Sequence, residues 1–213
     1  MSFTEVLCEV LLLQAKEGQK DLTATSMTKF CDFASHFPKT ETSEGSALAQ
    51  KIFPIVREDS QEVYVFVVWR SRGHHDGLVT APGFEPSMQM LINEVFPTLA
   101  QPAAAFYVKC DRVGPDFLTA GRLHLIEVQL NGHDSPEEVG NPLERVLSAY
   151  RDKLGCHPVL FGLQDDDSRH AVVVLKWSAN CEEVGLDKDL YDRMLSEMKA
   201  QGEILRDVHI SEH

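Results

Sequence analysis

The chain has 213 residues, 43% of them hydrophobic and 25% charged, with a formal net charge of −13 at pH 7. A chain of that length fits one large domain or two of about 100 residues each, and it can bury enough surface to fold without a metal or a disulfide. A polyanion with no basic stripe repels phosphate backbones and anionic headgroups, so nucleic acid and membrane surfaces are excluded as partners.

Five cysteines (Cys8, Cys31, Cys110, Cys156 and Cys181) are widely spaced, and none forms a CxxC pair. This pattern predicts reduced thiols in a cytoplasmic protein, with neither a disulfide framework nor a metal site. The N-terminal segment lacks the basic start of a signal peptide, and its apolar burst Leu11-Leu12-Leu13 is far too short to span a membrane.

Along the chain, Phe3 to Leu13 is rich in Val and Leu and predicts a strand. Asp21 to Phe37 follows with Met27, Phe30, Cys31 and Ala34 at helical spacing, and Ala47 to Ile52 predicts a short helical turn. Ile52 to Arg57 and Val63 to Trp69 predict two strands around a tight turn. The second is apolar at both alternating sets of positions, so it must be covered on both faces. Ser71 has the chemistry of an N-cap. Beyond the stretch Gly77 to Pro86, the residues Met88, Leu91, Val95 and Leu99 form a helical stripe that Pro97 should bend or end. Ala103 to Cys110 predicts a fourth strand, and Asp111 to Arg122 reads as a linker.

The same order then recurs. Leu123 to Leu130 is a strand. Leu143 to Leu154 is an amphipathic helix with Asn141 as cap and Pro142 at its first position. Pro158 to Gln164 and His170 to Trp177 are strands around the turn Asp165-Asp166-Asp167, which lacks the alternating ligands of a calcium loop. Leu190 to Met198 is a helix and Ile204 to Ile210 a strand. The pattern is βαββαβ twice, which sets the expected domains at 1–112 and 120–213. Leu7-Cys8-Glu9-Val10 matches Leu125-Ile126-Glu127-Val128, and Trp69 and Trp177 each end a strand. The fold class is therefore α+β: two tandem ferredoxin-like repeats, each covering the open sheet face of the other in an intramolecular barrel.

Val63-Tyr64-Val65-Phe66-Val67-Val68-Trp69-Arg70-Ser71, followed by His75, Phe84, a helix and Phe106-Tyr107-Val108, resembles the antibiotic-biosynthesis-monooxygenase (ABM) type of the dimeric α/β barrel superfamily. The resemblance covers nearly the whole chain. Members usually carry one unit per chain and form homodimers; some fungal members that resemble this chain carry both. The resemblance implies a small apolar molecule as partner, and a monomer with internal pseudo-twofold symmetry or a homodimer of it. The activities known in the family include cofactor-independent oxygenation of aromatic polyketides, polyketide cyclisation, haem degradation and muconolactone-type isomerisation. In the haem-degrading relatives a histidine follows the position matching Phe84. Here Phe84-Glu85-Pro86-Ser87-Met88-Gln89 contains none, so haem is not expected; the chain also has no Walker loop or GxGxxG motif, and the expectation is that it uses no cofactor.

His74-His75-Asp76 is the most suggestive cluster. Behind Ser71, the two histidines fall in the first turn of a helix, whose positive end favours neutral imidazole able to take a proton. Solvated first-turn residues are the plain alternative. Adjacent helical residues point about 100° apart, which argues against shared metal binding. Tyr64 and Tyr107 sit on apolar strands and could hold an oxyanion, or simply bond to backbone. Trp69 and His36 complete the candidate substrate-binding set; the plainer roles are hinge packing for the tryptophan and capping of a helix end for the histidine. In the second repeat Cys181 and Glu182 occupy the places of His74 and His75. The expected function is a cofactor-independent enzyme with His75 or His74 as general base. Proton abstraction would lead to cyclisation, isomerisation, elimination or oxygenation of a small aromatic or polyketide-like substrate. The alternative is a non-catalytic small-molecule-binding or stress-response protein.

Overall fold

Val63, Val65, Val67 and Trp69 alternate along one strand with Tyr64, Phe66 and Val68, and all seven are buried in a computed structural model of the protein. The structure describes residues 6–35, 49–56, 60–69, 71–79, 84–113, 122–131, 136–165, 169–177 and 187–212. The element order is β1 (Val6–Gln14), α1 (Lys20–Ser35), β2 (Ala49–Val56), β3 (Glu62–Trp69), α2 (Arg72–Val79), α3 (Phe84–Met90), β4 (Ala104–Val113), β5 (Arg122–Leu130), α4 (Pro136–Leu154), β6 (Cys156–Gln164), β7 (His170–Trp177), α5 (Lys188–Lys199) and β8 (Gly202–Glu212). The chain divides into two compact units, Met1–Tyr107 with Glu212–His213, and Val108–Ser211.

In the first unit β3 pairs antiparallel with both β1 and β2. One face of β3 packs with Leu7, Leu11 and Leu13 of β1 against Ala24, Met27 and Cys31, which recur at helical spacing on α1. Each fully buried side chain of this kind contributes about 1.5–3 kcal/mol. The other face (Tyr64, Phe66, Val68, with Cys8 and Val10 of β1) is also fully buried. Residues 49–52 are strand, not helix: β2 begins at Ala49, where pairing to β3 overrides a weak local helical preference. After α3 the helix widens into a π-helical turn at Leu91–Val95 and tightens into a 3₁₀ turn at Phe96–Thr98. Pro97 explains the break, since it has no N–H to continue the ladder and its ring crowds the preceding turn. The buried Thr23 hydroxyl donates to Thr98 Oγ1 at 2.8 Å and ties α1 to this turn.

In the second unit β5 pairs with β7 and β8, β7 pairs with β6, and β6 pairs with Val108–Val113 of β4. The order β8-β5-β7-β6 is that of a ferredoxin-like unit. At the β4/β6 pairing a side chain on Gly162 would meet the Lys109 carbonyl at 2.1 Å, so only glycine fits there. Helices α4 and α5 cover one face of the sheet through Leu143, Leu147, Tyr150, Met194 and Met198. The cap expected at Asn141 is not the start of α4, which begins at Pro136 and carries Pro142 inside it. Pro136-Glu137-Glu138 is itself a helix-start pattern, a proline followed by acids near the positive end. Among the described residues, no helix is long and apolar enough to cross a membrane.

Candidate functional site

Strand β3 ends at Trp69, and the chain turns directly into α2, where the His75 N–H closes a first helical turn onto the Ser71 carbonyl at 3.4 Å. This short connection carries the His75 ring back against the end of the sheet. The ring stands edge-on to Trp69 at 5.2 Å and to Tyr107 at 5.1 Å between centroids, with its side chain 16% exposed. Each ring nitrogen has a partner. Nδ1 lies 2.8 Å from Asp76 Oδ1, and Nε2 lies 3.0 Å from the Tyr107 hydroxyl. With Nδ1–H donating to Asp76, Nε2 keeps its lone pair and accepts from Tyr107; this tautomer follows from the partners. Arg72 holds Asp76 one helical turn away at 3.6 Å and lays its guanidinium over the Tyr107 ring at 4.2 Å.

Glu9 of β1 completes the cluster. Its Oε2 accepts from Trp69 Nε1 at 3.0 Å and lies 4.0 Å from His75 Nε2, and its Oε1 lies 3.5 Å from the Tyr107 hydroxyl oxygen, a second acceptor for that one proton. Burial pushes its carboxyl above the usual range, against the opposing pull of the Trp69 hydrogen bond and the nearby His75. Burial also raises Tyr107, and the Glu9 charge adds to the shift.

Glu9, Trp69 and His75 form the polar end of a cavity of about 260 Å³. The rest of its wall is apolar, including Leu11, Met27, Phe30, Phe84, Leu91 and Phe96. An apolar enclosure with a few convergent polar groups is the usual form of a small-molecule site.

Of the residues singled out in the sequence, His75 and Trp69 line this cavity. Tyr107 does not; it touches His75 and Glu9 from outside. Tyr64 lies on the opposite face of β3, buried, with its hydroxyl on Glu62 Oε2 at 3.0 Å. Strand alternation puts it a full sheet thickness from His75. The side chain of His74 and all of His36, Cys181 and Glu182 lie outside the described residues. Glu9 was missed as a site residue. The available signal was a lone acid inside an otherwise apolar strand.

The second unit contains a cluster that the sequence did not reveal. His124 of β5 lies opposite Leu175, two residues before Trp177, as Glu9 lies opposite Val67, two residues before Trp69. Register therefore makes His124 the counterpart of Glu9. The sequence match of Glu9 with Glu127 is off by three positions, and an odd shift flips a side chain to the other face. There Glu127 sits 3.3 Å from His170 and 3.5 Å from Arg206. His124 is fully buried. Its Nε2 meets Asp207 and the Tyr191 hydroxyl, the latter at 2.9 Å, and Tyr191 also donates to Asp207 at 2.7 Å. The His209 ring lies 3.9 Å from that of His124. Burial pushes Asp207 up, but hydrogen bonds from His124 and Tyr191 outweigh it and hold the carboxyl below its usual value. Burial, reinforced by the bond to Asp207, raises Tyr191 far above the ordinary phenol range. The indole N–H of Trp177, which has Glu9 as partner in the first unit, has no hydrogen-bond partner among the described residues. Among the described residues no three His, Cys, Asp or Glu side chains assemble as a metal site.

No family model matches the sequence, and no curated protein matches it. Solved structures do. A candidate monooxygenase from Lactobacillus acidophilus NCFM superposes over 98% of this chain and 93% of its own, with a TM-score of 0.61 and 11% identity. One from Fusobacterium nucleatum covers 100% and 93%, with a TM-score of 0.65 and 6% identity. An anthrone oxidase-like protein covers 98% and 92%, with a TM-score of 0.63 and 13% identity. At these identities the likeness is one of fold. The chain has the α+β fold of these structures, in tandem ferredoxin-like repeats.

Proposed function

We propose that the protein is a cofactor-independent enzyme that removes a proton from a small, largely apolar substrate, with His75 as the general base. One juxtaposition supports this. His75 borders an apolar cavity of about 260 Å³ while Asp76 orients its Nδ1 and leaves Nε2 able to accept a proton. A base bordering a largely apolar cavity stands within reach of the proton it is to remove. Tyr107 acts as a positioning residue for His75 and Glu9, because it does not border the cavity. Cyclisation, isomerisation, elimination and oxygenation by dioxygen all begin from the anion that this step makes. The same reading takes the protein as cytosolic, acting as a single chain or as a homodimer.

The test is His75→Ala assayed on a panel of aromatic ketones and phenols, with thermal unfolding measured in parallel. The substitution should lower turnover by about 10²–10⁴-fold while the protein still melts cooperatively. Equal turnover by the variant and the parent would remove His75 from the chemistry.

A further inference from the structure

We infer that Glu9 is a second catalytic residue of this site, acting in its protonated form as the general acid that serves the substrate oxygen while His75 takes the proton from carbon. The inference rests on the reading of His75 as base. It starts from what borders the cavity. An anion formed by removing a proton next to a carbonyl places its charge on the oxygen, and that oxygen needs a donor inside the cavity. Neither tyrosine singled out in the sequence can supply it, since Tyr64 is on the other sheet face and Tyr107 is outside the wall. The Trp69 N–H is already spent on Glu9. Among the described residues, Glu9 and His75 are the ionisable side chains in the wall, 4.0 Å apart at one end.

The local geometry suits an acid. Oε2 accepts the short bond from Trp69, so the proton belongs on Oε1, whose neighbour is the Tyr107 hydroxyl at the longer distance of 3.5 Å. The carboxyl is 13% exposed, and burial in apolar surroundings favours its neutral form, as in other sites where a carboxylic acid is kept protonated to donate. The step balances without an oxidant. A C–H bond beside the carbonyl breaks and its proton goes to His75 Nε2. The electron pair moves into the enol double bond, and the carbonyl oxygen takes the proton from Glu9 Oε1. Return to ketone runs the same transfers backwards. Tyr107 couples the two halves. Its hydroxyl lies 3.0 Å from Nε2 and 3.5 Å from Oε1. As Glu9 becomes a carboxylate, the hydroxyl turns towards it and leaves Nε2 to the incoming proton.

The second unit supplies a contrast. At the register position of Glu9 it has His124, and the groups around it are bonded to one another with Tyr191 packed into the core. A carboxylic acid facing open space belongs to the first unit.

The experiment uses β-tetralone, an uncharged bicyclic ketone, in deuterium oxide buffer. Deuterium uptake beside the carbonyl is followed by mass spectrometry for the parent, His75→Ala, Glu9→Gln and Glu9→Asp. The parent should accelerate uptake with a bell-shaped pH profile belonging to the Glu9–His75 pair. Glu9→Gln should slow it by about 10²–10³-fold with KM little changed, and should replace the bell by a single rise with pH. Glu9→Asp, which keeps an acid, should restore the bell. If Glu9→Gln keeps the parental rate and bell while His75→Ala loses uptake, Glu9 is not the acid and the base assignment stands. If the parent does not exceed buffer, or His75→Ala equals the parent, the base assignment falls and the Glu9 inference falls with it.

Discussion

The two units place a tryptophan at the same strand end and put opposite chemistry beneath it. Under Trp69 an acid on the first strand faces a histidine on a short helix, across the mouth of an apolar cavity. Under Trp177 a histidine on the corresponding strand faces an acid on the last strand, and the Tyr191 hydroxyl from α5 bonds with both. A duplicated scaffold reuses its packing solutions readily, because strands and helix stripes tolerate many apolar residues. Polar groups are less forgiving: each buried one must find a partner or be kept for work. In the second unit they bond to one another. In the first, two of them border open space.

The largest structural break in this contrast should come from His124→Glu, which copies the first unit's residue into the second. It would bury a carboxylate beside Asp207 and remove the existing hydrogen bond, which should cost about 1–3 kcal/mol in denaturant unfolding. An unchanged midpoint would mean that the cluster is held by something other than the His124–Asp207 contact.

Tyr107→Phe should have a smaller effect, confined to the first unit. Removing the hydroxyl that joins His75 and Glu9 should reduce deuterium uptake by about tenfold, or roughly 1.4 kcal/mol, with KM unchanged because Tyr107 does not border the cavity. A change in KM alone would make it a binding residue.

The paired tryptophans offer a finer comparison. Trp69→Phe removes a donor that Glu9 uses, whereas Trp177→Phe removes one with no partner among the described residues. Ring size is lost equally in both, so Trp69→Phe should be the costlier by about 1–2 kcal/mol in thermal or denaturant unfolding. Equal costs would say that the Trp69–Glu9 bond contributes no net stability.

The smallest effect is one of pH. Asp207 has a folded-state pKa held below its usual value. Its contribution to stability is therefore fully present above about pH 4 and is lost as pH falls through the depressed value. Asp207→Asn should flatten the acid limb of the stability profile and leave its slope near neutrality unchanged. Because the Asp207 side chain is about a third exposed, solvent screening keeps the effect modest.

Much of the architecture was legible in residue order. Valine-rich apolar runs marked β3 and β7 to within a residue, and the helical stripe of α5 needed only its 3.6-residue period. Boundaries governed by long-range pairing were not legible: residues 49–52 look locally helical and become strand because β3 offers a partner. His75 could be picked out as a candidate because a histidine pair behind a serine at a helix start stands out locally. Glu9 could not. Its significance depends on Trp69, 60 positions away, and on Tyr107, 98 positions away.

By itself, then, the sequence determined the repeated element order, the two-sided burial of β3 and the position of the turn that presents His75. Each of these follows from side-chain periodicity and short-range sterics, which act over a few residues. Only the tertiary structure decided which tyrosine meets His75, that Glu9 joins it, and that His124 rather than Glu127 is the counterpart of Glu9. Those outcomes hang on strand register, where a shift of a single residue sends a side chain to the opposite face of the sheet.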